Sequence, residues 1–205
     1  MSFEPVVMKF GGAALKDASA IERCCDWIAT RYLESPYLLV VVSAMGQTTD
    51  SLLKLALEMN QNPPKRELDM LLSAGERISM ALVAIGLEKR GIEAISFTGS
   101  QTGIVTTEEH SDAEIVEIKP FRILPHLEKK RVVIIAGFQG VSREKEITTL
   151  GRGGSDTTAV AMGVALNAKV VEFYKDVEGV YQEDPKKMNR PSYTKSSLIR
   201  KPLRL

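Results

Sequence analysis

The sequence is poor in the residues that carry thiol, imidazole or metal chemistry. It has two cysteines and two histidines in 205 residues. Cys24 and Cys25 are adjacent within a helical pattern, which suits buried or idle thiols in a reducing cytoplasm rather than a disulfide or a metal site. His110 and His126 have no ligand-spaced partners, so both read as structural or surface residues. Charge of one sign is also lacking: 27 Lys and Arg stand against 26 Asp and Glu. The basic residues are scattered and never interleave with aromatics, so nothing favours nucleic acid or a membrane surface. No apolar run reads as long enough to cross a bilayer, and Met1 to Phe10 lacks the form of a signal peptide. There is no internal repeat, low-complexity tract or composition shift to mark a domain boundary. What is present is 44% hydrophobic residues, enough for an ordinary core in one large domain or two small ones.

Apolar runs alternate with helical periodicity along the chain. Val6 to Phe10, Tyr37 to Val42, Ala94 to Phe97, Val132 to Ala136 and Lys169 to Tyr174 read as strands. The runs YLLVVV and VVIIA fit parallel strands buried on both faces. Ile104 to Thr106 and Glu114 to Lys119 read as edge strands. Between them lie helical patterns: Ile21 to Tyr32 behind a Ser19/Glu22 capping box, Leu52 to Met59, one long helix over Leu68 to Leu87, and a short one over Phe121 to Leu127. This alternation predicts a three-layer αβα sandwich with a mostly parallel central sheet. Gly75 is a poor residue inside a helix, so close packing or a nearby ligand is expected there.

The stretch Ile147 to Thr158, ITTLGRGGSDTT, organises the rest. A short β-branched run gives way to three glycines, then to Ser155 and Asp156 as N-cap types, then to an alanine-rich helix. A helix start of this kind offers N–H groups and the positive end of the helix dipole to an anion. Arg152 adds a planar cation within the loop. Lys9 precedes the paired glycines Gly11 and Gly12, where a lysine can reach a phosphate lying on bare backbone, although the Walker A pattern is absent. Four glycine- or hydroxyl-rich loops follow predicted strands, including Ser43 to Asp50. Together they point to a phosphate-containing ligand at the carboxyl edge of the sheet.

VVMKFGG, VVVSAMGQTTD, LLSAGERIS, FTGSQTGI, AGFQG, ITTLGRGGSDTTAVA and YKDVEGVYQEDP, in that order, resemble the successive motifs of the aspartate kinase family within the amino acid kinase superfamily. They cover nearly everything from Val6 to Pro185. The resemblance implies transfer of the γ-phosphoryl group of ATP, with Mg²⁺, to the β-carboxylate of L-aspartate. It implies roles for Lys9 and Asp156 in catalysis, with Asp156 orienting the substrate amino group or the lysine. It places Ser43, Thr49, Glu76, Arg152 and Ser155 around aspartate, and Lys9, Gly11, Gly12, Lys175, Asp176 and Tyr181 around the nucleotide. It also implies a cytoplasmic enzyme with a kinase region over 1–195, C-terminally incomplete and without ACT regulatory domains, followed by an atypical tail over 196–205. Two departures stand out: Ala13-Ala14 replace an expected Thr-Ser, and Lys175 stands where threonine is common. A non-catalytic amino-acid- or nucleotide-binding chain, or a partner subunit of a longer kinase, is the alternative, and homo-oligomer formation stays open.

Overall fold

A computed structural model describes residues 3–175, together with the backbone at 180–181 and 193–194. The central sheet has five strands, β1 (Val6–Phe10), β2 (Leu38–Val42), β3 (Ala94–Phe97), β6 (Val132–Ala136) and β9 (Val170–Tyr174), in the order β3-β6-β2-β1-β9. Every neighbouring pair is parallel. Strands β1, β2 and β6 are buried along their whole length, as continuous apolar runs require.

Helices cover both faces. Helices α1 (Ala18–Glu34) and α4 (Ala74–Glu88) pack Ile21, Cys24, Ile28, Val83 and Leu87 against Met8, Phe10, Val40 and Ile134. Helices α5 (Leu124–Glu128) and α6 (Gly154–Ala165) pack Leu127, Ala159 and Met162 against Val7, Val41 and Ile135. The alternation of faces along β1 therefore puts Lys9 on the same side as Val7, towards α6. The expected three-layer architecture holds. Both cysteines are buried free thiols, Cys24 pushed up to about 12 and Cys25 to about 11, chiefly by burial.

A second, four-stranded sheet was only partly foreseen. It runs β5 (Ile115–Ile118), β4 (Ile104–Thr106), β7 (Gln139–Ser142), β8 (Ile147–Thr149). Gln139 and Gly140, where the sequence carries no strand signal, pair antiparallel with Thr149 and Thr148. Short β-bridging segments rich in Gly and Gln carry little periodicity, which is why β7 was missed.

Two helix expectations are corrected. The box at Ser19/Glu22 is not the cap of α1. Asp17 is the N-cap and its carboxylate accepts from the Ala20 N–H at 2.7 Å, two residues earlier than the expected box. The long helix over Leu68 to Leu87 is two helices, α3 (Lys65–Leu72) and α4, broken at Ser73. There the Ser73 hydroxyl donates back to the Met70 carbonyl at 3.0 Å, and the Gln139 amide takes the Ser73 carbonyl at 2.9 Å. Both contacts draw backbone groups out of the helical ladder. Taken as one stretch, Lys65–Glu88 is long and apolar enough by composition to cross a membrane, contrary to expectation. Here it is broken and turns Val83 and Leu87 into the core.

Candidate functional site

The strand order changes direction at β1, which has β2 on one side and β9 on the other. In open parallel sheets ligands bind outside the carboxyl ends of strands at such a switch. A cavity of about 450 Å³ lies there. The ends of β1 and β2 supply Lys9, Gly12, Ser43 and Ala44. Thr49 and Asp50 come from the first turn of α2 (Thr48–Met59), Glu76 from the first turn of α4, and Arg152 to Asp156 from the glycine loop and the first turn of α6. Thus Lys9, Gly12, Ser43, Thr49, Glu76, Arg152, Ser155 and Asp156 converge as expected. Gly11 does not line the cavity; its N–H is spent on the Tyr174 carbonyl at 3.2 Å. Asp176 lies outside the described residues, as do the turn at 176–179, Asp184-Pro185 and the tail at 196–205, and at Tyr181 only the backbone is described.

Ser155 and Asp156 are not caps. The cap position is Gly153, whose φ of 83° is left-handed and open to glycine at no steric cost. The helix therefore starts at Gly154, and Ser155 and Asp156 sit inside its first turn with side chains available to the cavity. The amides of Arg152, Gly153 and Ser155 have no intramolecular acceptor among the described residues. Free amides at a helix start form an anion-binding edge.

Asp156 is clamped between two cations. Lys9 Nζ lies 2.6 Å from Oδ1, as an ion pair whose approach is not that of an aligned hydrogen bond. Lys175 Nζ donates to Oδ2. Burial alone would raise the Asp156 carboxyl, but Lys9 and Lys175 hold it below the usual carboxylate range. Burial lowers the pKa of Lys9 against the pull of Asp156. The pair of lysines makes a concentrated positive site that a phosphate group can enter by displacing Asp156 from one of them.

Glu76 is 3% exposed. Its Oε1 accepts from the Ala44 N–H at 3.1 Å, while Oε2 has no hydrogen-bond partner among the described residues. Burial pushes its pKa up to about 7, against the hydrogen bonds from backbone N–H groups and the nearby Lys9. An unpaired buried carboxylate oxygen is costly, and a bound cation such as an ammonium would satisfy it. Gly75 has the reason the sequence anticipated: a Cβ there would sit 2.8 Å from the Ala44 Cβ. Close approach of α4 to the end of β2 is what lets Glu76 reach the Ala44 amide. Arg152 is exposed, lines the same cavity and has no ion pair among the described residues.

The residues that sequence reasoning missed surround Asp69. This carboxylate has no exposed surface, yet it sat unnoticed in an amphipathic pattern. Its oxygens accept from Thr149 Oγ1 at 2.5 Å, Ser111 N at 3.0 Å, Ser111 Oγ at 3.2 Å and His110 Nδ1 at 2.7 Å. His110 therefore does have a partner, 41 residues away in sequence. Ser111 and Thr149 line the cavity. Ser111 (φ 69°) and Phe138 (φ 67°), another lining residue, both hold left-handed backbone conformations, which cost a non-glycine residue and recur at functional sites.

The sequence profile of the amino acid kinase family matches residues 4–196. The chain belongs to this family. A relative in Mycobacterium bovis, an aspartokinase, is 54% identical over 88% of this chain and 43% of its own length. The crystal structure of aspartate kinase from Synechocystis is 44% identical, with a TM-score of 0.76, over 89% of this chain and 30% of that one. Aspartokinase III of E. coli, in complex with aspartate and ADP, is 27% identical with a TM-score of 0.79, over 93% of this chain and 53% of that one. The chain thus spans less than half the length of the curated aspartokinase relative.

Proposed function

We propose that this chain carries the catalytic site of an aspartate kinase, which moves the γ-phosphoryl group of ATP to the β-carboxylate of L-aspartate. The observation that carries this reading is two kinds of unfinished contact around one cavity, which Lys9, Asp156, Glu76 and Arg152 line and which Lys175 meets only through Asp156. Lys9 and Lys175 share one carboxylate beside the free amides of a helix start, which suits phosphate. Glu76 holds out an unpartnered buried oxygen, with Arg152 on the same wall, which suits an α-ammonium and an α-carboxylate. Similarity to aspartokinases over most of the chain supports the choice of amino acid.

In this reading Arg152 grips the α-carboxylate through its planar fork, and Glu76 takes the α-ammonium. Ser43, Thr49 and Ser155 line the acceptor pocket. A β-carboxylate oxygen, already ionised near neutral pH, forms a bond to the γ-phosphorus as the bond to the ADP oxygen breaks. No proton has to be removed, so no strong base is needed. Lys9 stabilises the charge that develops on the transferring group, and Lys175 adds a second cation. Among the described residues no cluster of three His, Cys, Asp or Glu side chains is set to hold a metal. Mg²⁺ is therefore proposed to arrive on the nucleotide phosphates, whose charge it neutralises. A cytoplasmic location and self-association are proposed with this activity, the latter resting on exposed apolar residues such as Leu55, Met59 and Ile85.

The test is aspartate-dependent release of ADP, with hydroxylamine trapping of the acyl phosphate. Arg152→Lys, which keeps the charge and loses the fork, should raise the KM for aspartate about tenfold or more and leave that for ATP within about twofold. Binding of aspartate or ATP by calorimetry without any turnover would instead identify a non-catalytic binding chain.

A further inference from the structure

The buried Asp69 takes no part in the proposed chemistry, yet it ties together three stretches of the cavity wall that lie far apart in sequence. It stands on α3, one turn before the Ser73 break that leads into Glu76, and its backbone carbonyl accepts the Ser73 N–H at 3.0 Å. Its side chain holds Ser111 through both N–H and hydroxyl, and so fixes that residue in its left-handed conformation. It also holds the Thr149 hydroxyl, at the end of β8, two residues before Gly151 and three before Arg152. His110 Nδ1 faces a carboxylate, which can only accept, so this nitrogen carries the proton. Four donor groups thus converge on one carboxylate with no exposed surface. A buried charge of this kind is tolerated only when so completely satisfied. A merely structural position could have been filled by an apolar residue at less cost.

We propose that Asp69, supported by His110, is a positioning residue for the amino-acid acceptor. It holds the wall formed by Ser111 and Thr149, and through Thr149 the loop that presents Arg152, in the arrangement that receives the acceptor. It does so without touching the Lys9, Asp156 and Lys175 cluster that serves the nucleotide. This inference rests on the aspartate kinase reading for the identity of the acceptor, but the restraint on the wall is present in the protein without ligand.

The experiment compares Asp69→Asn, His110→Ala and His110→Asn with the unaltered chain. Hydrogen exchange is measured without ligand, and KM for each substrate in the coupled assay. Asp69→Asn should speed exchange at the Ser111 amide about tenfold or more, since four donors then compete for one uncharged acceptor oxygen and an NH2 group faces the rest. It should raise the KM for aspartate about tenfold or more and leave that for ATP within about twofold. His110→Ala should give a smaller shift in the same direction. His110→Asn, whose amide nitrogen takes the place of Nδ1, should restore most of the loss. Unchanged exchange at Ser111 in Asp69→Asn overturns the proposal, as does an equal rise in both KM values or a His110→Asn variant no better than His110→Ala. If Asp69→Asn does not fold, His110→Ala keeps three of the four donors and decides the matter by the same readouts. Absence of aspartate-dependent turnover in the unaltered chain counts against the aspartate kinase reading. In that case the exchange arm still decides whether Asp69 restrains the wall.

Discussion

Replacing Glu76 by glutamine removes a charge but keeps the side chain's shape and its acceptor for the Ala44 N–H. Two opposite effects should follow. With a pKa of about 7, Glu76 is roughly one-tenth ionised at pH 6 and nine-tenths ionised at pH 8. If only the carboxylate takes the α-ammonium, the apparent Kd for aspartate is the intrinsic value divided by that fraction, so affinity should rise about tenfold from pH 6 to pH 8. Aspartate's own groups do not titrate in this window, and binding without nucleotide avoids titration of the phosphates. Calorimetry in buffers of different ionisation enthalpy should show close to one proton released per aspartate bound at pH 6 and nearly none at pH 8. Glu76→Gln should bind aspartate about ten- to a hundredfold more weakly at pH 8, as expected for the loss of a charge-assisted contact, with no pH dependence.

Stability should move the other way. The folded state favours protonated Glu76, because the pKa is raised from 4.5 to about 7. This contribution is fully present below about pH 4.5, declines as pH rises, and is lost above about pH 7. At ~1.4 kcal/mol for each pH unit, the ionised group costs up to about 3 kcal/mol. Glutamine carries no such cost. The variant should therefore equal the parent near pH 4.5 and exceed it at pH 8 by up to about 3 kcal/mol, read from urea unfolding. A pH-independent aspartate affinity in the parent, or a glutamine variant less stable than the parent at pH 8, would refute the reasoning.

Lys9→Ala should lower turnover by orders of magnitude and leave the circular dichroism spectrum unchanged, because Lys9 serves charge that develops only on transfer; retention of most activity removes it from the catalytic set. Gly75→Ala should destabilise the protein by about 1–3 kcal/mol despite alanine's better helix propensity, because its Cβ would meet the Ala44 Cβ at 2.8 Å. In an Ala44→Gly background the same change should cost little, and an equal cost in both backgrounds would exclude the contact as the cause. Cys24 and Cys25, with pKa values pushed up to about 12 and about 11, should resist a thiol-disulfide reagent near pH 8 until the chain unfolds. Prompt labelling of the native protein would show that the α1–α4 interface opens.

What could be read from the sequence follows from what local pattern encodes. Buried parallel strands are continuous apolar runs, so β2 and β6 were legible from composition alone, and β1 and β9 nearly so, each interrupted by one charged residue, Lys9 and Glu172. Lys9, Glu76, Arg152 and Asp156 were legible because each stands beside glycine or hydroxyl residues at an element's end. Interactions that close across the chain left no such mark. The Ser73 break depends on Gln139, 66 residues away. Asp69 depends on Ser111 and Thr149, at separations of 42 and 80 residues. In a helical pattern an aspartate destined for complete burial looks the same as one facing water, since periodicity registers only whether its apolar neighbours face the core.

The two kinds of residue also divide the work of the site. The groups legible from sequence are the ones left incompletely satisfied: among the described residues Oε2 of Glu76 lacks a donor and Arg152 lacks an anion, and Lys9 and Lys175 share one carboxylate. A ligand can supply each missing partner, and that is where binding energy comes from. The group that escaped notice, Asp69, is the one already saturated by four donors. It gains nothing from a ligand and fixes where the unsatisfied groups stand. Preorganisation of this kind requires that reactive groups stay underpaired while their supports are fully paired. Substitution at the two classes should accordingly separate. Changes at Glu76 should trade affinity for stability, whereas Asp69→Asn should lose both, because it leaves one acceptor oxygen for the four donors of Thr149, Ser111 and His110 and turns an NH2 group towards them.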